Sequence, residues 1–226
     1  MECECVITSC IYNVWTAGLS ADICRLYGRA SKRSSIESPV RYLLDMAADL
    51  SKLRESKFWN EKVDRFVRLT DIDNSGDITQ ADFQLMNGRY KETVSFNPQK
   101  FEAFLKYQID MFNRMGLGKE SAEVSYAEFK EKFLENLLTS EYWETYLGAI
   151  FNILDLNDDG VISFEEWKAY YHCLRIDQAH ARASFDAMDA NSDGVVSKEE
   201  FVNFQFEYFF TDENKLGSAI LYGPLE

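Results

Sequence analysis

From Phe58 onward, apolar side chains recur at helical spacing, and three acidic segments that contain glycine interrupt them. The apolar residues before these segments are Phe58, Val63, Phe66, Val67 and Leu69, then Tyr146, Leu147, Ile150, Phe151 and Leu154, then Ala183, Phe185 and Met188. An aromatic residue follows each segment: Phe83, Trp167 and Phe201. The chain therefore repeats a helix–loop–helix unit, and a repeat of this kind must be identified before any other feature of the fold.

A fourth unit of the same kind is predicted between the first and second of these repeats. Asn97-Pro98 is typical of a helix start, and one helix with Phe101, Phe104, Leu105, Ile109 and Phe112 follows it. A second helix begins near Ser125 and carries Phe129, Phe133, Leu134 and Leu138. Because a single helix–loop–helix leaves an apolar face exposed, we predict an all-α fold of four units in two pairs, packed into one compact unit.

The predicted boundaries follow from these patterns. Residues 1–37 show no sustained helical period and are predicted to be a flexible N-terminal extension. Residues 38–56 begin with Ser38-Pro39 and are predicted to form an additional amphipathic helix. The first pair of units is assigned to residues 57–138, and the second pair, with a C-terminal tail, to residues 139–226.

The three acidic segments match the twelve-residue calcium loop of the EF-hand, which supplies oxygen ligands from positions 1, 3, 5, 7, 9 and 12 and has glycine at position 6. We name them loop I (71–82), loop III (155–166) and loop IV (189–200). The predicted metal ligands, with position 7 acting through its carbonyl, are Asp71, Asp73, Ser75, Asp77, Thr79, Asp82, Asp155, Asn157, Asp159, Val161, Ser163, Glu166, Asp189, Asn191, Asp193, Val195, Ser197 and Glu200. Three Ca²⁺ ions are therefore expected. A chance occurrence of three such loops, each flanked by amphipathic helices, is on the order of one in a hundred.

Loop I differs from the other two at position 12, where Asp82 replaces glutamate. Its carboxylate is one methylene shorter and is less able to reach an ion with both oxygens. A lower coordination number favours Mg²⁺, which prefers six ligands. We therefore expect loop I to hold Mg²⁺ comparatively well.

The unit between loops I and III contains a loop that has lost its ligands. With Val124 at position 8 and Glu128 at position 12, Leu117, Lys119 and Ser121 occupy positions 1, 3 and 5. A cation is not expected beside Lys119 without a carboxylate at position 1. This segment, loop II (117–128), is therefore predicted to be structural.

The eighth position of each loop is aliphatic, which favours short antiparallel pairing between loops. Ile78 is expected to pair with Val124, and Ile162 with Val196. Ser163 with Glu166 and Ser197 with Glu200 also have the spacing of a capping box, so these residues are expected to start the following helices.

Other candidate sites have simpler explanations. Cys3, Cys5, Cys10 and Cys24 fit no familiar zinc spacing, and a disordered tail explains them more simply. No role is assigned to His172 or His180. The aromatic run Phe201, Phe204, Phe206, Tyr208, Phe209 and Phe210 is assigned to the core, with a ligand cavity as the alternative. No catalytic residue is predicted, and we expect no enzymatic activity.

Composition limits the partners and the location. The net charge of −14 argues against nucleic acid and leaves cations as the counter-charge. No stretch of about 20 apolar residues predicts a membrane span. Val6–Trp15 follows Glu2 and Glu4 rather than basic residues, so we expect no signal peptide. Cysteines that form no disulfide framework favour the cytoplasm, and we expect a monomer there.

From about Lys57 to Glu226 the chain resembles the invertebrate sarcoplasmic calcium-binding proteins, which include calexcitin. The matching features are Phe58-Trp59, Asp82, the silent second loop, Phe185-Asp186-Ala187-Met188-Asp189 and Leu221-Tyr222-Gly223-Pro224-Leu225. The resemblance implies a compact protein with four EF-hands that buffers Ca²⁺ and Mg²⁺ in a sarcoplasm-like cytoplasm, and it implies no protein partner.

Two alternatives remain open at this point. The first is a calcium sensor with a protein partner, although bulky aromatic residues outnumber the six methionines that would suit an exposed groove. The second is a calcium-gated carrier of an apolar ligand, because the loops are also similar to those of coelenterazine-binding proteins and of the photoproteins related to aequorin. A photoprotein resemblance implies a histidine in the helix after loop IV, and here no histidine follows His180.

Overall fold

The computed structural model describes residues 52–92, 97–137 and 147–225. The α-helices in these ranges are α1 Lys57–Thr70, α2 Gln80–Lys91, α3 Pro98–Arg114, α4 Tyr126–Leu137, α5 Leu147–Leu154, α6 Phe164–Cys173, α7 Ala181–Met188 and α8 Lys198–Phe210. The strands are β1 Asp77–Thr79, β2 Glu123–Ser125, β3 Val161–Ile162 and β4 Val196–Ser197. Short 3₁₀ helices span Gln178–His180 and Ser218–Ile220.

Several sequence-based predictions lie outside the described residues. These are the extension 1–37 with its four cysteines, almost all of the additional helix 38–56, the end of the first pair at Leu138, and Tyr146. The proposed boundaries of the two pairs therefore stay predictions.

The strands join the loops in two pairs. β1 and β2 are antiparallel, with Ile78 opposite Val124, and β3 and β4 are antiparallel, with Ile162 opposite Val196. All four of these side chains are buried. The predicted pairing at position 8 is thus confirmed, as is the all-α fold of four helix–loop–helix units in two pairs. We call the unit pair that contains loops I and II pair 1, and the pair that contains loops III and IV pair 2.

Local sequence accounts for the helix starts. Asn97 precedes Pro98 and accepts hydrogen bonds from the backbone N–H groups of Gln99 and Lys100, at 3.0 and 3.2 Å. Capping boxes formed by Ser163 with Glu166 and by Ser197 with Glu200 start α6 and α8, as the spacing predicted. In each case a side-chain oxygen satisfies N–H groups that have no partner within the helix.

The C-terminal end of α8 is capped by side chains from α1. Trp59 Nε1 donates a hydrogen bond to the Phe209 carbonyl, and Lys62 Nζ donates to the carbonyls of Glu207 and Thr211. The last carbonyls of a helix have no partner within the helix, and a cation near them is favourable for the helix dipole. These contacts join the first helix of pair 1 to the last helix of pair 2.

The core is rich in aromatic residues. Of the run in α8, all members except the half-buried Phe206 are buried, and Phe66 and Phe209 meet edge to face with ring centroids 5.3 Å apart. A cavity of about 80 Å³ lies between the pairs, and its wall is formed by residues of α1 to α6 such as Phe101 and Ile153. The aromatic run of α8 does not contribute to this wall. Within the described ranges, no helix combines the length and the apolar character that crossing a bilayer requires.

Candidate metal centres

Loops I, III and IV share one backbone conformation. Their fourth residues, Asn74, Asp158 and Ser192, have positive φ angles of 58°, 62° and 58°. Their sixth residues, the glycines Gly76, Gly160 and Gly194, have φ angles of 94°, 85° and 88°. Only glycine adopts φ near 90° without strain, so the glycine at position 6 is required by the turn itself. The three loops therefore fold around their carboxylates in the same way.

The carboxylate at position 1 is held by backbone N–H groups of its own loop. Asp71 Oδ2, Asp155 Oδ2 and Asp189 Oδ2 accept from the position 6 glycine N–H at 3.0, 3.0 and 2.9 Å. The other oxygen accepts from the N–H of position 5 at 2.9, 3.2 and 3.1 Å. The side-chain oxygens of Asp73, Asn157 and Asn191 accept from that same N–H. Backbone N–H groups of the loop thus orient the side-chain oxygens at positions 1 and 3.

The carboxylate at position 12 bridges the two ends of each loop. Glu166 Oε1 accepts from Leu156 N at 2.7 Å, and Glu200 Oε1 accepts from Asn191 N at 3.3 Å. Their other oxygens accept from the backbone and hydroxyl of Ser163 and Ser197. The carboxylate that closes the loop also caps the next helix, so a shift of this group is passed to α6 or α8.

Asp82 closes loop I in the same manner despite its shorter side chain. Its Oδ1 accepts from Ile72 N at 2.8 Å, and its Oδ2 accepts from the backbone and hydroxyl of Thr79, both at 2.9 Å. Thr79 and Asp82 thereby form a third capping box, at the start of α2. This one was not predicted, because the motif is usually recognised by glutamate or glutamine at its last position.

The carboxylates of loop I lie close enough to share one ion. One oxygen each from Asp71, Asp73 and Asp82 lies within 4.8 Å of the other two, and Asp82 is fully buried. Hydrogen bonds from the side chain and then the backbone of Ser75 lower the pKa of Asp73. An ionised, all-oxygen donor set of this kind fits a hard divalent cation such as Ca²⁺ or Mg²⁺.

Loop II does not have this arrangement. Leu117 at position 1 is fully buried in the core, and Gln80 Nε2 donates a hydrogen bond to its carbonyl. Glu128 at position 12 is exposed and forms an ion pair of 2.9 Å with Lys132. No residue of loop II has a positive φ angle, whereas each of the other loops has two. The donor set of loop II therefore does not fit a cation.

Among the described residues, one cysteine and both histidines lie outside these loops. Burial raises the pKa of the Cys173 thiol to about 12, so this cysteine is not a nucleophile at neutral pH. His172 lies in α6, and His180 ends the 3₁₀ helix that precedes α7.

Two cationic side chains that sequence analysis did not single out reach loops in the other pair. Lys100 of α3 contacts Asp155 and Asp158 of loop III, and Arg175, after α6, contacts Ile72 of loop I. No local pattern identifies such contacts, because they depend on how the pairs pack.

Comparisons with known proteins agree with this geometry. The EF-hand domain pair family matches residues 144–205. Two sarcoplasmic calcium-binding proteins, from Perinereis vancaurica tetradentata and Hediste diversicolor, are 29% and 30% identical over 174 residues, which cover 75% of this chain and 99% of each relative. Among solved structures, the coelenterazine-binding protein from Renilla muelleri, in its calcium-loaded apo form, has a TM-score of 0.59 and 21% identity, over 78% of this chain and 97% of that protein. The structural likeness concerns the fold.

Proposed function

Because this chain belongs to the sarcoplasmic calcium-binding protein family, we propose that it acts as a buffer of Ca²⁺ and Mg²⁺ inside cells. It is an EF-hand calcium-binding protein, and the proposal concerns its role, its number of sites and its location. The observation that carries the proposal is the common geometry of loops I, III and IV, which loop II lacks. We propose three ion sites, made by the ligands predicted from the sequence, and an empty loop II.

The protein's own groups prepare these sites. Carboxylates at positions 1 and 12 are oriented by backbone N–H groups, and the ion supplies the positive charge that offsets their mutual repulsion. Position 12 is also the helix cap, so ion capture and helix stability depend on the same carboxylate. Binding energy is thereby directed to making the fold more rigid.

The contacts between the pairs favour a buffer over a sensor. A sensor of the calmodulin type separates helices and exposes an apolar groove when calcium binds. Here Trp59 and Lys62 of pair 1 satisfy the terminal carbonyls of α8 in pair 2, and Trp59, Lys62 and Tyr208 are fully buried. Opening the pairs would exchange these hydrogen bonds for bonds to water, at a net cost of about 0.5–1.5 kcal/mol each, and would also expose the buried rings of Trp59 and Tyr208. We therefore expect neither a protein partner nor enzymatic activity to be needed for function.

We further propose that loop I is the site with the strongest relative preference for Mg²⁺. The two oxygens of Asp82 are held within the loop as those of Glu166 and Glu200 are, but its side chain is one methylene shorter. Binding an ion through one oxygen of Asp82 keeps the coordination number near six, which suits Mg²⁺.

A calcium-gated carrier of an apolar ligand is the second candidate. The observation in its favour is the cavity between the pairs, whose wall is formed by aromatic, aliphatic and methionine side chains apart from Thr70, Asp82, Asn87 and Cys173. Its volume of about 80 Å³ is well below the 300–1,000 Å³ of typical ligand pockets. A chromophore that co-purifies with the protein would favour the carrier.

The number of bound ions tests the proposal directly. Native mass spectrometry and calorimetry with Ca²⁺ are expected to give three ions per chain, two for Glu166→Gln, and three for the matched control Glu128→Gln. Calorimetry in a Mg²⁺ background then measures the competition between the ions. No bound ion in the parent protein would refute the proposed function, and loss of an ion in Glu128→Gln would refute the assignment of loop II.

A further inference from the structure

Two cationic side chains, one from each pair, contact a candidate metal loop of the other pair. Lys100 Nζ donates to the Asp155 carbonyl and forms an ion pair with Asp158 Oδ1 at 2.6 Å, with only 14% of its side chain exposed. Arg175 Nη1 donates to the Ile72 carbonyl at 2.6 Å. We call these the cross-pair contacts.

The two contacts hold peptide groups at neighbouring loop positions: Lys100 binds the carbonyl of position 1 in loop III, and Arg175 binds the carbonyl of position 2 in loop I. The peptide whose carbonyl binds Lys100 has the N–H of Leu156, which donates to Glu166 Oε1 at 2.7 Å. The peptide whose carbonyl binds Arg175 has the N–H of Asp73, which donates to Asp82 Oδ1 at 3.3 Å. In both loops, a cationic side chain from the other pair therefore donates a hydrogen bond to the carbonyl of one peptide group. The N–H of that same peptide group donates to the carboxylate at position 12. Successive hydrogen bonds of this kind polarise one another.

Both cations occupy positions that are locally unfavourable. Lys100 lies in the first turn of α3, where the helix dipole disfavours a positive charge. Arg175 has a φ angle of 57°, a left-handed conformation that is sterically unfavourable for a residue with a Cβ. Departures from local rules are expected at functional positions, and here each one places a cation on a loop of the other pair.

The contacts complete a closed path between loops I and III. From loop III, Glu166 caps α6, and Arg175 follows the end of α6 and binds loop I. From loop I, Asp82 caps α2. Helix α2 packs on α3 through the rings of Phe83 and Phe112, whose centroids are 4.8 Å apart. The side chain of Asn87 on α2 also donates a hydrogen bond of 2.7 Å to Gln108 on α3. Lys100 on α3 then returns to loop III.

We propose that Lys100 and Arg175 are positioning residues that couple the ion affinities of loops I and III across the two pairs. The proposal rests on the proposed function, because it requires both loops to bind ions. It also gives the silent unit a role, since α3 supplies Lys100 although loop II has no ligands. Coupling of this kind is reciprocal and typically changes affinity about 5- to 150-fold.

The test follows each loop separately in the full-length protein labelled with ¹⁵N-glycine. Gly76, Gly160 and Gly194 each donate their N–H to the position 1 carboxylate of one loop, so their NMR signals report occupancy loop by loop. Ca²⁺ titrations compare the parent with Glu166→Gln, which silences loop III. The midpoint is the Ca²⁺ concentration at which half of the Gly76 signal has changed. In the parent background, Glu166→Gln is expected to change this midpoint about fivefold or more. In the Lys100→Met background, Glu166→Gln is expected to change it less than twofold.

The matched control is Lys106→Met, which removes the same charge from an exposed position on α3. This control and Lys100→Arg are expected to keep the parent shift, and Arg175→Gln is expected to abolish it. Circular dichroism of each variant with Ca²⁺ checks that it is folded. Two results would refute the coupling while the proposed function stands, provided that the parent glycines respond to Ca²⁺. The first is a Gly76 midpoint that Glu166→Gln does not change. The second is a change in this midpoint that is the same with Lys100→Met as with Lys100. If none of the three glycines responds in the parent, the proposed function fails first.

Discussion

The indole Nε1 of Trp59 lies 2.7 Å from the carbonyl oxygen of Phe209, to which it donates a hydrogen bond. The two residues are separated by 150 positions and are both fully buried. Phe209 lies in the last turn of α8, where a carbonyl has no partner within the helix. This one bond therefore satisfies the end of α8 and joins it to α1.

Replacing Trp59 with phenylalanine is expected to lower the free energy of unfolding by about 1–3 kcal/mol, because the Phe209 carbonyl then stays buried without a donor. Urea unfolding in saturating Ca²⁺ measures the loss. Trp167→Phe is the matched control: its indole is equally buried, but it donates to the Ser184 hydroxyl at 3.2 Å, and a hydroxyl can rotate to another partner. A loss that is no larger for Trp59→Phe than for the control would contradict this explanation.

The preference of loop I for Mg²⁺ over Ca²⁺ is expected to depend on the length of the side chain at position 12. Asp82→Glu should raise the affinity for Ca²⁺ relative to Mg²⁺, because the longer carboxylate can offer both oxygens to the ion. The change should be tolerated, since Asp82 borders the cavity of about 80 Å³ and the added methylene has room. Calorimetric titration with each ion, with the other as competitor, gives the ratio of affinities.

Asp77→Glu is the control for this substitution, because it also lengthens a carboxylate of loop I, at a position that is proposed to bind through its carbonyl. It should leave the ratio of affinities unchanged. An unaltered Mg²⁺ to Ca²⁺ preference in Asp82→Glu would show that the length of the closing side chain does not set selectivity.

The local part of the site could be predicted from the sequence, and the long-range part could not. Ligand spacing and the position 6 glycines lie within a twelve-residue motif, so short-range geometry determines them. The pairing of Ile162 with Val196 joins the eighth positions of two such motifs, so the repeat itself indicates it. The contacts of Lys100 with Asp155 and of Arg175 with Ile72 span 55 and 103 positions. Their existence depends on the packing of whole helices, which leaves no periodic trace in the sequence.

The fold shows the same division. Apolar periodicity predicted the helices and their pairing, because each helix must cover one apolar face. The sequence also indicated that loop II lacks ligands, but not that Leu117 would enter the core in place of an aspartate. An apolar side chain at that position is buried without the need for an ion that a carboxylate there would have.

Calcium is expected to raise the melting temperature strongly. Carboxylate oxygens of Asp71, Asp73 and Asp82 lie within 4.8 Å of one another, and their charges repel unless an ion offsets them. Three dications would change the formal charge from −14 to −14 + 6 = −8. We expect the melting temperature in millimolar Ca²⁺ to exceed that in chelator by about 10 °C or more.

Differential scanning calorimetry of matched variants checks the source of this increase. Glu166→Gln should lose part of the increase, whereas Glu128→Gln in loop II should keep all of it. Equal melting temperatures of the parent in chelator and in Ca²⁺ would mean that the folded protein binds no ion under these conditions.

Lys62 provides a prediction about pH. Its ammonium lies between the rings of Phe58 and Tyr208, at 5.2 and 5.5 Å from their centroids, and donates to two carbonyls at the end of α8. Burial is the largest effect and lowers its pKa from 10.5 to about 8, although the negative charges of Glu207 and Asp212 act to raise it. The folded protein therefore releases this proton at a lower pH than the unfolded chain does.

Between pH 8 and 10.5 the unfolded chain binds a proton at Lys62 that the folded protein has lost, so this group makes the protein more stable as pH rises. From pH 7.5 to 9.5, the free energy of unfolding should increase by about 2 kcal/mol more in the parent than in Lys62→Met. Urea unfolding in saturating Ca²⁺ gives both slopes, and this range lies well below the pKa of Tyr171, which burial raises to about 12. Lys57→Met, at an exposed position on the same helix, should keep the parent slope. If the free energy of unfolding changes equally with pH in the parent and in Lys62→Met, Lys62 has the same protonation in the folded and unfolded protein. In that case, the hydrogen bonds to its two carbonyl partners offset the effect of burial on its pKa.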